Sequence, residues 1–453
     1  MDASELVIDI PSDLPPAEWP ECCIYRVPKL LRKVNEKAYT PKLVSIGPFH
    51  HGNDDLKDME KHKLRYFKDF FQRTTLKKSQ KDLASIIAAK EETIRHCYSE
   101  ECGLESKDFV KMILLDAIFI IELFLRLTEK RENDYIPSKP WLEHGIYYDL
   151  IVLENQLPFF VLEDLHKSAF FDSSSLSHRQ GDTPFRELSL LYFSRNGKHK
   201  NSDIYGNVNH FTDLLRYFFL PPKLLRDSFL PPKPSHQGPL DHLYSATELD
   251  EAGLKFKAIK DDRSLVDIKF PENKFLKCCP CFNLSWLLAC LPCLKCFPCL
   301  EGMERFLQVP CFEVDDSTEA LLRNLMALEQ CHYPFHGYIC SYVLLLDFLI
   351  NTEKDVALLV DKKVIVNRLG SNTAVADLIN NLCTEIEVTG SYYSDLCTNI
   401  NVYRDNPWNH VMASMKSVYF PDFWRGTAAV VGLIVLTFTF WDFLRPYLKK
   451  KKK

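Results

Sequence analysis

A chain of 453 residues, 46% hydrophobic and 26% charged, can bury a large core and is long enough for two or three domains. Its 15 glycines, set against 31 phenylalanines and 26 prolines, argue against a Gly-rich phosphate-cradling enzyme or an all-β sandwich of tight turns. With Lys+Arg 56 and Asp+Glu 61 the net charge is −5, which excludes an overall basic footprint for nucleic acid; the basic excess is local, in Lys449 to Lys453.

At the N-terminus Asp2, Glu5, Asp9, Asp13 and Glu18 precede the first basic residue, Arg26. A secretory leader needs the reverse order, and Met1-Asp2 lacks the glycine needed for myristoylation. Residues 1–20 therefore read as a disordered segment, with the bulk of the chain expected in the cytosol. Residues 21–218 form a helical half. Leu64, Phe67, Phe70 and Phe71 make one stripe, and Leu83, Ile86, Ile87, Ile94, Cys97 and Tyr98 make another at three-to-four spacing. Met112 to Leu125 is nearly all apolar but carries Asp116 and Glu122; it is too short to span a bilayer and reads as a buried core helix. Ile146 to Leu165 continues the pattern, with Asn155-Gln156 read as a cap before a second helical piece at Pro158. Asp172 to Asp182 is a polar loop.

Residues 219–242 are a Pro-rich linker in which Phe219-Leu220-Pro221-Pro222-Lys223 recurs as Phe229-Leu230-Pro231-Pro232-Lys233. A spacer is the expected role; a polyproline ligand is the alternative. Residues 243–420 form an α+β second half. The runs LKFKAI, SLVDIKF, RFLQV and CFEV between Leu254 and Val314 read as strands of a small sheet, interrupted by a Cys-rich insertion at 277–302. Helices are expected again at Thr318 to Gln330, Tyr338 to Ile350 and Tyr392 to Ser417.

The chain closes on an uncharged run, Gly426 to Trp441. With Phe423-Trp424 before it and Phe443-Leu444 after it, the helix reaches about 20 residues, or ~30 Å, enough to cross a bilayer. Trp424 and Trp441 sit where amphipathic rings prefer the interface, so residues 423–444 are read as a transmembrane helix anchored by Trp424, Gly426, Trp441 and Leu444. Residues 445–453 are a basic tail. The expected partner is the lipid bilayer, in a tail-anchored arrangement with the short tail across it; a re-entrant anchor with both ends cytosolic is the alternative.

Of the 16 cysteines, seven fall in the insertion: Cys278, Cys279, Cys281, Cys290, Cys293, Cys296 and Cys299. Free thiols rather than disulfide staples are expected in a large chain without a leader. The C-x2-C spacing from Cys290 to Cys299 could hold zinc or an iron–sulfur cluster. Leu, Pro, Phe and Trp between the thiols, with Lys277 and Lys295 beside them, suit reversible palmitoylation on a membrane-contacting loop better. A variable loop without a special role is the third reading. His50, His51 and His62 lack a completing set of ligands and read as loop histidines. Asp116, Glu122, Asp149 and Glu154 are carboxylates in apolar helices; their spacing does not place either pair on one helix face, so no acid–base pair follows. Nothing matches a phosphate loop, a nucleophile elbow, a dinucleotide fingerprint or a zinc-protease motif. No catalytic, cofactor or metal residues are assigned.

CCIYRVPKLLR from Cys22, YTPKLVSIGPFHHG from Tyr39, MEKHKLRYF from Met59, DLIVLENQLPFFVLEDL from Asp149, ATELDEAGLKFK from Ala246 and LLRNLMALEQ from Leu321, together with the anchor, resemble the plant family called domain of unknown function 247. The resemblance runs in order over nearly the whole chain. It implies a plant protein with one C-terminal membrane helix, at the plasma membrane or another endomembrane. Some relatives act in pollen–stigma self-incompatibility in grasses, which implies signalling or recognition. It supplies no catalytic residues. The fold class expected is mainly α with a small β element: a large helical cytosolic domain plus one transmembrane helix. The expected function is a membrane-anchored interaction or signalling component with an unknown protein partner and no nucleic acid. The alternative is a hydrolase-like enzyme using the carboxylates and His50.

Overall fold

The computed structural model describes residues 14, 16–73, 76–129, 134–171, 183–194, 207–221, 224, 238, 240, 242–259, 264–271, 304–388, 390–409, 411, 431–432 and 434–441. The fold is mainly helical, with few strands. It divides into two compact units, Met1–Phe218 with Glu319–Pro334 and Phe219–Thr318 with Phe335–Lys453.

Unit 1 is built from α1 (Lys29–Val34), α2 (Lys57–Phe70), α3 (Gln80–Ala89), α4 (Glu91–His96), α5 (Ser106–Glu129), α6 (Pro140–Asp149), α7 (Phe159–Phe170), α8 (Phe185–Ser194) and α9 (Phe211–Phe219), and the chain returns to it later for one more helix. Its axis is α5, the expected core helix extended at both ends. Apolar residues face every direction of α5, so it needs neighbours all round, and α2, α3, α7 and α8 supply them. On α2 the buried stripe is Met59, Lys63, Tyr66 and Phe70; of the expected set Phe70 is buried, Phe67 and Phe71 are half-buried and Leu64 faces out. Leu64 is 58% exposed, because a lysine stands in the apolar row and rotates the inward face by a third of a turn. The pattern from Ile146 to Leu165 is broken between Asp149 and Phe159 by an irregular loop, residues 150–158. Pro158 N-caps α7 without a side-chain hydrogen bond, so Asn155 and Gln156 are not helix caps.

Unit 2 holds α10 (Ala246–Glu251), β1 (Leu254–Ile259), β2 (Arg305–Pro310) and β3 (Phe312–Val314); α11 (Thr318–His332) is the helix that returns to unit 1. Then come α12 (Tyr338–Leu349), α13 (Glu353–Asp361), β4 (Ile365–Asn367), α14 (Asn372–Leu382) and α15 (Ser394–Asp405). Instead of one small sheet there are two parallel pairs, β1 with β2 from Leu254↔Arg305 and β3 with β4 from Phe312↔Ile365. SLVDIKF contributes only a bridge, Lys269 to Gln308. Parallel pairing cannot be closed by a tight turn and needs a long crossover. The segment from 260 to 304 supplies it for β1 and β2, and all seven cysteines of the insertion lie in this crossover, outside the described residues. α12 is buried on most of its surface and is the core helix of the unit. Reciprocal caps tie α10 to α13: Thr352 and Asp355 form a capping box, and the Thr247 amide and hydroxyl donate to Asp355 at 2.9 and 2.7 Å.

Candidate functional site

Val27 and residues 41–50 are irregular chain, much of it buried in unit 1, so their amides find no ladder partners. A buried amide without an acceptor costs as much as a lost hydrogen bond. Side chains from the DLIVLENQ stretch and from α5 supply the acceptors. The Lys42 amide donates to Asp149 Oδ1 at 2.8 Å, and those of Leu43 and Val44 donate to Asp149 Oδ2 at 2.6 and 2.8 Å. Ile46 donates to Asn155 Oδ1 at 2.7 Å, Gly47 to Asp116 Oδ2 at 2.9 Å and Val27 to Glu154 Oε1 at 2.9 Å. In the reverse direction Asn155 Nδ2 donates to Val44 O at 3.0 Å, and Lys63 Nζ donates to Ser45 O at 2.5 Å. Gly47 has φ +73°, and a Cβ there would lie 2.5 Å from the Gln156 carbonyl oxygen, so only glycine fits. The SIGPFH and ENQLPFF blocks are thus the two halves of one interlock.

Each carboxylate weighed in the sequence has a structural engagement. Asp116 pairs with Lys63 at 2.7 Å, both about 1% exposed. Burial acts against the Lys63 charge, yet Asp116 and Glu60 hold its pKa above the ordinary lysine value. Burial pushes the Asp116 carboxyl up, against the pull of Lys63 and the Gly47 amide. Glu122 is bridged by Arg73 at 2.6 Å and Arg126 at 2.6 Å, and Arg126 continues to Asp134 at 3.0 Å. Burial raises Asp149 to about 6 despite its three backbone donors. Glu154 meets Arg26 at 3.1 Å and Arg32 at 2.9 Å; its burial is outweighed by these partners and by His50, so its pKa lies below the usual value. His50 Nε2 stands 3.2 Å from Glu154, an ion-pair distance without the alignment of a hydrogen bond.

The three histidines diverge. His50 points inward to Glu154, and His51 lines a groove of about 260 Å³ with Arg26, Phe49, Glu100 and Leu104. His62 stacks on Tyr135 at 4.5 Å. Among the described residues no group of three His, Cys, Asp or Glu side chains could hold a metal ion, and no disulfide joins the described cysteines.

A second buried cluster, absent from the sequence reading, joins α9 to α11. His210 Nε2 donates to Cys23 O at 2.9 Å, and its Nδ1 accepts the Asp213 amide at 3.3 Å. That tautomer is neutral by geometry, and burial lowers the His210 pKa to about 3. Asp213 also accepts from Tyr333 at 2.9 Å, and burial raises its pKa. Arg216 meets Glu329 at 2.8 Å, and His332 lies 3.0 Å from the Tyr25 hydroxyl. The groove beside His51 does not reach this cluster, nor does a larger one at the end of α2. Its chemistry is that of a satisfied polar core.

The anchor residues Trp424, Gly426 and Leu444 lie outside the described residues. Trp441 is helical, as are residues 431–432 and 434–440, and is 58% exposed. Among the described residues no helix is long and apolar enough to cross a membrane.

Comparison with known proteins finds a match over residues 24–438 to DUF247, a family described as plant protein of unknown function. The chain is 29% identical to UPF0481 protein At3g47200 of Arabidopsis thaliana, covering 92% of this chain and 84% of that protein. It is 23% identical to UPF0481 protein At3g02645 of the same plant, covering 91% and 88%. No solved structure matches.

Proposed function

The chain belongs to the DUF247 family of plant proteins, whose function is unknown, and we propose that it is a single-pass, membrane-anchored interaction or signalling component with its bulk in the cytosol. The observation that carries this reading is the helix at 431–441. Val431, Ile434, Val435, Leu436, Phe438, Phe440 and Trp441 are all between 48% and 68% exposed. These positions encircle the helix, whereas a surface helix of a soluble fold turns one apolar stripe inward. A helix apolar on every side and covered on none suits lipid. The uncharged sequence around it, from Gly426 to Trp441, is bordered by Arg425 and Asp442, and with Phe423-Trp424 and Phe443-Leu444 beyond them the stretch has the length to cross. The described cysteines, none of them bridged and Cys22, Cys23 and Cys97 buried, favour a reducing compartment for the bulk. The setting is the plasma membrane or another endomembrane, and palmitoylation of Cys278, Cys279, Cys281, Cys290, Cys293, Cys296 and Cys299 would add a second attachment.

An interaction role with a protein partner is preferred to the hydrolase reading, since Asp116, Glu122, Asp149 and Glu154 are each tied to cations or backbone amides inside unit 1. A hydrolase would need two of them facing one open site. Alkaline carbonate extraction of plant membranes tests the anchor, with the full chain compared against one ending at position 422. The full chain should stay in the pellet and the shorter one should leave it; release of the full chain by carbonate would remove the reading. Protease digestion of a C-terminal tag on intact vesicles tests the orientation, and the tag should be protected.

A further inference from the structure

Helix α2 buries Met59, Lys63, Tyr66 and Phe70, and its opposite face carries Lys57, Lys61, Leu64, Arg65 and Lys68, all exposed. Lys57 pairs with Asp54, and Asp58 lies at the edge of the stripe. Lys61, Arg65 and Lys68 have no ion pair among the described residues. This concentration of positive charge stands out in a chain of net charge −5. The stripe runs into a concavity of about 710 Å³, where half-buried Phe67, Phe71 and Leu76 lie among exposed Lys68, Lys77 and Lys78. The rings of Phe67 and Phe71 are 4.9 Å apart. Arg73 also borders it but is committed to Glu122 and Glu129. Asp82, the carboxylate following on α3, is bound to Ser79 in a capping box.

We propose that this groove and the basic face of α2 dock the phosphorylated headgroup of an anionic phospholipid. Lys68 and Lys78 meet the phosphate, and the glycerol and first acyl carbons lie on Phe67, Phe71 and Leu76. Charge complementarity names the sign of the ligand. The exposed leucine and the aromatic floor favour an amphiphile over a purely ionic partner, since a basic helix face with apolar residues interleaved is the pattern of membrane-surface contact. Each lysine near an anionic leaflet contributes about fivefold in affinity, so several together make a selective contact. The inference rests on the reading of the protein as membrane-anchored only in that the surface is then within reach of the bilayer.

The test is made on the full chain in neutral detergent micelles, which separates it from the anchor: the carbonate experiment can fail while this one succeeds, and the reverse. A fluorescent short-chain phosphatidylinositol monophosphate is titrated and anisotropy is read. Saturable binding is expected, weakened about tenfold or more by Lys68→Glu with Lys78→Glu, two charge reversals of groups each contributing several-fold. It should survive Lys68→Arg with Lys78→Arg, and also Lys354→Glu, an exposed lysine on α13. Inorganic phosphate or a polyglutamate peptide should displace the lipid only at far higher concentration. Absence of saturable binding, indifference to the double reversal, or equal displacement by phosphate or by the acidic peptide would each overturn the proposal.

Discussion

The Lys63–Asp116 pair offers the sharpest quantitative test of how unit 1 is held. Lys63→Met removes the cation and leaves Asp116 buried with one backbone donor, Gly47 at 2.9 Å. Removing one partner of a buried pair costs about 3–5 kcal/mol, because the other charge stays uncompensated. One escape limits that figure. Burial already pushes the Asp116 carboxyl up, so without Lys63 it is relieved by taking up a proton rather than by staying charged, and the expected loss falls toward the lower end, about 3 kcal/mol. Asp116→Asn leaves Lys63 with Ser45 O and Glu60 as partners and should cost less, about 2 kcal/mol. In the double variant no charge is stranded, Met fills the channel of the lysine stem, and Asn keeps an acceptor for Gly47. Its cost should be about 2–3 kcal/mol, well under the sum of the singles. Urea denaturation of the full chain, followed by far-UV circular dichroism, gives all four corners of the cycle. Additivity within about 0.5 kcal/mol, or a Lys63→Met loss below about 1 kcal/mol, would refute the account of the pair as a mutually neutralising lock.

Glu154→Gln should cost less than its four contacts suggest, about 2 kcal/mol, because Arg26 and Arg32 are 34% and 22% exposed and can return to water; urea midpoints at constant slope check this. Gly47→Ala must move the backbone away from Gln156 O and adopt a positive φ, so a loss of about 2–4 kcal/mol is expected, with faster amide exchange at Ile46 and Gly47. His210 predicts a pH dependence. Its folded pKa of about 3 lies below the ordinary 6.5, so its contribution is complete above 6.5 and is lost as pH falls toward 3. By pH 5 the loss is about 2 kcal/mol, and His210→Gln should flatten the stability difference between pH 7 and pH 5 by that amount. An unchanged difference in the variant would mean that another group carries the acid sensitivity.

Much of the helical framework can be read from periodicity. Leu83, Ile87 and Ile94 are buried as their spacing requires, and the apolar run of α5 could only be a helix sheathed by others. The stripe of α2 was misplaced because its decisive inward residue is Lys63, which no hydrophobic pattern counts as core. Lysine in line with Met59, Tyr66 and Phe70 is the signal that was there to be used. α13 and α14 carry ordinary start signals, Thr352 with Asp355 three residues on and Ser371 before an apolar-periodic stretch, but both helices are short. Asn155 and Gln156 looked like caps because capping is what those residues do locally. Their amide nitrogens do bind locally, to Asp149 O, Leu150 O and Val152 O, but their oxygens accept from Ile46 at 2.7 Å and Phe211 at 3.0 Å, 109 and 55 positions away, where local reading cannot reach. The same holds for the His210 cluster, whose members come together only when α11 does.

That late return of α11 reaches into how the protein is made. The polypeptide leaves unit 1 after Phe218 and rejoins it at Glu319. Asn324 then serves the Leu153 amide at 2.9 Å and the Ala38 carbonyl at 2.7 Å, and Tyr333 closes on Asp213. At roughly 5–20 residues per second a ribosome needs several seconds or more to supply the intervening stretch. Throughout that interval a nascent helical half waits with an open seam. A gene cut after codon 218 should therefore yield a fragment that pellets from solution, whereas one that joins 319–334 to it by a short linker should stay in the supernatant.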